Sequence, residues 1–148
     1  MKKGDRGGFS ALQNNGFMKK FFYLWGPVFI FAGLVFIVSS MSMPGKEAPF
    51  PLFDKAAHVS EYALFSILLF RALNGSLRGS SFLFLSIITI VITLAYGISD
   101  EFHQSFVPSR SSDIKDLAAD GIGALLAMTS VFIKRRIFSS EHVHEQLR

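Results

Sequence analysis

Residues 21–40 read FFYLWGPVFIFAGLVFIVSS and residues 81–98 read SFLFLSIITIVITLAYGI, and neither stretch contains a charged side chain. A bilayer core of about 30 Å is crossed by about 20 helical residues, so each stretch has the length of a membrane span. A helix of a soluble bundle presents a polar face to water, and these two stretches have no such face. Both stretches therefore predict membrane-spanning helices.

Two further apolar stretches contain a few ionisable side chains. Residues 56–73 contain three of them and residues 117–133 contain one. Their lengths still suit a membrane span. The four stretches together predict an all-α fold, a four-helix transmembrane bundle over residues 21–133. A basic N-terminal segment at 1–20 and a C-terminal tail at 134–148 flank the predicted membrane domain.

The composition of the whole chain agrees with a membrane protein. Of its 148 residues, 50% are hydrophobic and 18% are charged. A soluble domain carries roughly 25% charged residues. The chain has no cysteine, which excludes disulfides, thiolate metal sites and a cysteine nucleophile.

The basic residues predict the orientation of the bundle. Segments 1–20, 71–80 and 134–148 hold 11 of the 15 lysines and arginines. Basic flanking segments stay in the cytoplasm, so we expect a multi-pass protein of the cell (cytoplasmic) membrane with both termini inside. The net charge of +4 then reflects topology and attraction to anionic lipids, so the expected partner is the lipid bilayer and not nucleic acid.

A cleaved signal peptide is the alternative interpretation of the first apolar stretch, because lysines precede it. Residues 21–40 are longer than the roughly 7 to 15 residues of a signal-peptide core, and no A-x-A cleavage site follows them. We therefore expect the first span to be retained.

Acidic residues are concentrated on the predicted outer side. Eight of the 11 acids fall there, namely Glu47, Asp54, Glu61, Asp100, Glu101, Asp113, Asp116 and Asp120. Seven remain when the loop residues Lys46 and Glu47 are set aside. The other bases on this side are Lys55, Arg110 and Lys115, which leaves four acids in excess. Such an excess requires water, protons, a metal ion or a cationic ligand.

Helical spacing gathers these polar side chains on shared faces. Asp54, His58 and Glu61 follow at i, i+4 and i+7, so a helix places them on one stripe. The residues expected in a binding site or polar lock are Asp54, Lys55, His58, Glu61, Asp100, Glu101, Gln104, Arg110, Asp113, Asp116 and Asp120. Small residues predict close helix packing in the fourth span, at Ala119, Gly121, Gly123 and Ala127.

Three motifs carry a family resemblance, DKAAHVSEY at 54–62, DEFHQSFVPSR at 100–110 and SSDIKDLAADGIGALLA at 111–127. In this order they resemble the VanZ-like family of small bacterial integral membrane proteins. The matching positions are Asp54, Lys55, His58, Glu101, Gln104, Arg110, Asp116 and Gly123. Many members carry asparagine where this chain has Asp120. The resemblance implies a link to the cell envelope and to resistance against the glycopeptide antibiotic teicoplanin.

Three interpretations of the acid-rich outer face stay open. It could bind an envelope lipid, a glycan precursor or a glycopeptide without chemistry. It could be the active site of a metal-dependent hydrolase or transferase that acts on an envelope lipid or glycan. The candidate catalytic and divalent-metal residues are then His58, Glu61, Glu101 and His103. It could also be a structural lock in which Arg110 bridges carboxylates of three helices and Lys55 and Lys115 neutralise others. Catalysis and homo-oligomer formation are not decided by the sequence.

Overall fold

The computed structural model describes residues 7–41, 53–108, 110 and 112–146. Its four α-helices are α1 (Gly7–Ser39), α2 (Phe53–Ser76), α3 (Phe82–Gln104) and α4 (Ile114–Gln146). Each helix contains a segment that is long and apolar enough to cross a membrane, and the described ranges contain no strand. The predicted all-α fold with four membrane-spanning helices is confirmed.

Helices α1 and α4 are longer than the predicted spans. Helix α1 begins at Gly7, inside the basic N-terminal segment, and α4 continues to Gln146, inside the predicted tail. No proline falls between residues 134 and 146, so nothing in that segment forces the helix to stop at the membrane surface. Hydropathy finds only the apolar part of a helix, which explains the difference.

The helices alternate in direction, so α1 and α3 end where α2 and α4 begin. We call this end, marked by Ser39, Phe53, Gln104 and Ile114, the polar end. The opposite end, where α2 ends and α3 begins, is called the basic end because seven lysines and arginines of the described residues lie there. They are Lys19, Lys20, Arg71, Arg78, Lys134, Arg135 and Arg136.

Helix α2 is the centre of the bundle. It packs against each of the other three helices, whereas α1 and α4 share no contact among the described residues. The most extensive packing joins α2 to α4. Because both helices begin at the polar end, the pair is parallel, and the intervening α3 returns the chain from one to the other.

A stripe of small residues allows α4 to approach α2. Ala119, Gly123 and Ala127 are buried along this face of α4. A Cβ atom added at Gly123 would overlap the backbone of Val59 and Ala63 in α2. The two backbones are therefore in direct contact, as small-residue stripes permit in membrane proteins. Gly121 lies off this stripe, toward α3.

Among the described residues, two hydrogen bonds join α1 directly to α2 and α3. The Tyr96 hydroxyl of α3 donates to the carbonyl oxygen of Ala32 at 2.6 Å. The Trp25 indole N–H donates to the Ser76 hydroxyl of α2 at 3.0 Å. The outward faces of the helices are apolar, with side chains such as Ile30 more than half exposed. In a bilayer, lipid chains cover these faces.

Local signals set the beginning of α3 and the turn before it. The Ser81 hydroxyl accepts the backbone N–H of Phe84 at 3.2 Å and so caps the helix. The tight α2–α3 turn contains Gly79 with φ of +90°, a backbone conformation that residues other than glycine rarely adopt.

Substitution of glycine by alanine at two positions of α4 tests the α2–α4 contact. Gly123→Ala should lower the free energy of unfolding by about 1–3 kcal/mol, because the new methyl group meets backbone atoms that cannot rotate away. Gly121→Ala is the matched control, since its Cβ would only reach the Leu94 side chain, at 3.4 Å. We expect it to change stability by less than about 1 kcal/mol. Denaturant unfolding in detergent, followed by circular dichroism, measures both; equal effects would contradict the contact.

Candidate functional site

Lys55, in the first turn of α2, joins the beginnings of α2 and α4. Its Nζ contacts Oδ1 of the buried Asp116. The same Nζ lies 3.3 Å from Asp113 Oδ2 and 3.5 Å from Asp54 Oδ2. One ammonium group therefore faces three carboxylates. Asp54 lies within the first turn of α2, and Asp116 within that of α4, where the positive ends of the helix dipoles also favour negative charge.

Asp113 caps α4. Its Oδ1 accepts the backbone N–H of Lys115 at 2.9 Å. This hydrogen bond, together with the nearby Lys55 ammonium, lowers the pKa of the Asp113 carboxyl below its ordinary value. The carboxylate therefore stabilises the fold at pH values above its ordinary pKa, and this stabilisation is lost as the pH falls through the lowered pKa. The backbone N–H of Asp113 donates to Glu101 Oε2 at 2.9 Å, which connects α4 to α3.

His58 and Asp120 meet one turn deeper in the bundle. His58 Nδ1 lies 3.0 Å from Asp120 Oδ1, and both side chains are buried. When Nδ1 carries the proton it donates to the carboxylate, and Nε2 keeps a free lone pair. Gly97 of α3 makes room for this pair, because a Cβ there would lie only 2.6 Å from Asp120 Oδ2. Gly97 is not among the residues predicted from the sequence, where its one signal is its position three residues before Asp100.

Asp100 is held by neighbours on α2 and α3. Its Oδ2 accepts the amide N–H of Gln104 at 2.9 Å, and the Tyr62 hydroxyl points to the same atom at 3.5 Å. All three side chains are buried. They fix one oxygen of the carboxylate and leave the other oxygen facing the interior.

Three buried carboxylate oxygens accept no hydrogen bond from the described part of the chain. They are Asp100 Oδ1, Glu101 Oε1 and Asp120 Oδ2. Buried polar atoms are almost always paired, and an unpaired buried carboxylate costs several kcal/mol. Each of these oxygens therefore requires a partner, which can be water, a proton, a cation or a ligand group.

Two adjoining clefts open at the polar end. The first, which we call the charged cleft, has a volume of about 180 Å³ and is lined by Asp54, Lys55, His58, Gln104, Arg110, Asp113 and Asp116. The second, the amphipathic cleft, has a volume of about 230 Å³ and lies between α1, α2 and α3. Its lining is Val35, Val38, Ser39, Phe53, Asp54, Ala57, His58, Glu61, Asp100, Gln104 and Arg110.

Arg110 occupies a different place from the one that the structural-lock hypothesis gave it. Its guanidinium donates to the carbonyl oxygens of Val38 and Met41, at 3.3 and 3.4 Å, at the end of α1. Among the described residues no carboxylate lies within ion-pairing distance of it. The free carbonyls at a helix C-terminus attract a cation, which explains this position. Lys115, expected to neutralise an acid, is exposed.

His103 lies apart from the carboxylates. Its Nε2 is 2.9 Å from the Ser40 hydroxyl, and its ring packs on Phe36 with centroids 4.4 Å apart. The neighbouring Gln104 faces the interior instead. Helical spacing alone is compatible with either residue sharing a face with Asp100, because they follow it at i+3 and i+4.

The structure assembles a different set of metal-ligand types from the predicted one. His58, Glu101 and Asp116 each offer one ligand atom, and these atoms lie within 4.8 Å of one another. Of the predicted candidates, Glu61 lines the amphipathic cleft and His103 contacts α1. Asp116 takes part in their place because α4 begins directly beside α2.

The chain matches a known protein family over most of its length. The sequence model of the VanZ/LLP1 family matches residues 9–135. The chain belongs to the VanZ/LLP1 family. The match confirms the predicted resemblance and includes the whole polar end of this VanZ/LLP1 protein. No curated protein and no solved structure gives a significant match.

A double-mutant cycle tests the link between Lys55 and Asp116. Lys55→Met should lower the free energy of unfolding by about 2 kcal/mol, because it leaves a buried carboxylate without its cation. Adding Asp116→Asn should restore part of this loss, since no unpaired charge then remains. Lys115→Met is the matched control, with an effect within about 0.5 kcal/mol because Lys115 is exposed. Unfolding in detergent measures the unmodified protein, Lys55→Met, Asp116→Asn, the double variant and the Lys115→Met control. Purely additive effects of the two substitutions would argue against the pair.

Proposed function

We propose that the polar end binds an amphiphilic component of the cell envelope, or an antibiotic, through hydroxyl or ammonium groups of that ligand. The observation that carries the proposal is the buried, unpartnered Oδ1 of Asp100, a residue that lines the amphipathic cleft. Valines of α1 and Phe53 form one side of this cleft, and Asp54, Glu61 and Asp100 supply acceptors on the other. A molecule with an apolar part and a donor group matches both sides.

The charges of the cleft favour a donor or cationic ligand group over an anionic one. Glu61 is half-buried, and no described residue forms a hydrogen bond with its carboxylate. The one guanidinium in the lining, Arg110, already donates to carbonyl oxygens of α1. A ligand ammonium or hydroxyl group would supply the donors that the chain itself leaves out, and burial strengthens such hydrogen bonds.

The family suggests which amphiphiles to test first. The link between VanZ-like proteins and teicoplanin resistance leads us to propose that binding an envelope precursor or the antibiotic lowers the access of the antibiotic to its target. The protein acts here as a binding protein, and the amphipathic cleft is its contact surface.

We also propose that the polar end faces the outside of the cell and the basic end the cytoplasm. Seven lysines and arginines of the described residues lie at the basic end, whereas the polar end has only Lys55, Arg110 and Lys115. Positively charged segments are retained on the cytoplasmic side. This orientation places both clefts toward the envelope.

Single cysteines test the orientation against no background, because the chain has none of its own. Ser112→Cys lies at the polar end and Ser80→Cys in the turn at the basic end, and both positions are exposed. In intact cells, a membrane-impermeant maleimide should label the cysteine at position 112 and should reach position 80 only after permeabilisation. The reverse pattern would overturn the proposed orientation.

Titration of the purified protein in nanodiscs tests ligand binding, with teicoplanin and a lipid-linked cell-wall precursor as probes. We expect saturable binding of at least one probe. Asp100→Asn should weaken it roughly tenfold, because an amide offers weaker charge attraction to a donor. Val38→Trp should weaken it by a similar factor, since the indole fills the amphipathic cleft.

Two matched controls separate the site from general damage. Asp113→Asn is the control for Asp100→Asn, because it replaces an aspartate by asparagine outside the amphipathic cleft. Ile37→Trp is the control for Val38→Trp, because it introduces an indole beside Val38 on the exposed surface of α1. Both should bind within roughly twofold of the unmodified protein, as expected for substitutions outside the contact surface. Unsaturable binding of both probes, or equal losses in site and control variants, would count against the proposed function.

A further inference from the structure

We infer that His58, Glu101 and Asp116 form a binding site for a divalent transition-metal ion at the polar end. The three residues come from α2, α3 and α4, and all three are buried. One ligand atom of each lies within 4.8 Å of the others. A tetrahedral zinc ion with ligand distances of about 2.0–2.2 Å holds its ligand atoms about 3.5 Å apart. Side-chain movements of about 1 Å therefore bring the three ligand atoms to a single ion.

Each of the three side chains is already oriented by a hydrogen bond to one of its two polar atoms. His58 uses Nδ1 to contact Asp120, and Glu101 uses Oε2 to accept the backbone N–H of Asp113. Asp116 uses Oδ1 to contact Lys55. The second polar atom of each side chain stays available. Metal-binding histidines and carboxylates are typically oriented in this way by neighbours that do not touch the ion.

An unpartnered oxygen gives independent support for a ligand at this place. Glu101 is only 7% exposed, and its Oε1 accepts no hydrogen bond from the described residues. No lysine or arginine of the described part of the chain pairs with Glu101. A bound cation would remove the cost of this buried oxygen and neutralise two carboxylates at once.

The donor set indicates the class of metal. One imidazole nitrogen and two carboxylate oxygens suit Zn²⁺ or Mn²⁺. Soft ions such as Cu⁺ prefer sulfur ligands, whereas Mg²⁺ favours an all-oxygen octahedral shell that retains several waters. His58 and Asp116 both line the charged cleft, so water or a ligand can reach the remaining coordination position. The site does not rest on the proposed function, because neither Glu101 nor Asp116 lines the amphipathic cleft.

Zinc titration of the full-length protein in nanodiscs, after removal of metal by a chelator, tests the site. A chromophoric competitor reports affinity, and elemental analysis reports stoichiometry. We expect about one Zn²⁺ per chain, with Mn²⁺ competing and Mg²⁺ not. Glu101→Gln and His58→Ala should each weaken binding by roughly tenfold or more, and Asp120→Asn, which alters the histidine's neighbour, by a factor of about 10 to 100.

His103→Ala and Glu61→Gln are the matched controls, because they remove the same ligand types from neighbouring positions outside the site. Both should keep zinc affinity within roughly twofold, as should Val38→Trp. Circular dichroism and size-exclusion elution confirm the fold of every variant, and the isosteric Glu101→Gln retains an oxygen for the Asp113 N–H. Absence of saturable zinc and manganese binding would overturn the inference. Equal losses in His103→Ala and Glu101→Gln would overturn this ligand set. If the unmodified protein binds zinc saturably but binds neither amphiphile, the proposed function alone is contradicted.

Discussion

Carboxylates buried inside an apolar bundle impose the constraint on which the polar end depends. Asp100, Glu101, Asp116 and Asp120 are each at most 7% exposed, and an uncompensated carboxylate at that depth costs several kcal/mol. Two features of α2 and α4 reduce the cost. Their first turns direct the positive ends of two helix dipoles to this region, and α2 contributes the side chains that face Asp116 and Asp120.

The same constraint explains why α2 and α4 pack so closely. The polar contacts between the two parallel helices require a close approach in one fixed register. Gly123 permits this approach, because without a side chain it lets the backbone of α2 near Val59 pack directly against α4. Electrostatic pairing and small-residue packing therefore lie on a single face of α4. Helix α1, which has no contact with α4 in the described part of the chain, adds an apolar wall instead. The amphipathic cleft lies between this wall and the carboxylates.

The number of helices and the location of the acids could be predicted from local sequence, because span length and helical spacing are local properties. The partners of those acids could not. Lys55 contacts Asp116 across 61 residues, and nothing local shows that α2 packs beside α4 in parallel. The metal-ligand prediction included His103 and omitted Asp116 for this reason. The prediction that Arg110 bridges carboxylates considered charged side chains alone. It did not include the free backbone carbonyls at the end of α1, which are the acceptors that Arg110 contacts.

The parallel packing of α2 and α4 has a consequence for biogenesis. His58 and its partner Asp120 are 62 residues apart, and the chain is synthesised from its N-terminus. Helix α2 is therefore synthesised before Asp116 and Asp120, the carboxylates of α4 that Lys55 and His58 contact. The polar end is completed only when the fourth helix inserts, because Asp116 and Asp120 arrive with that helix.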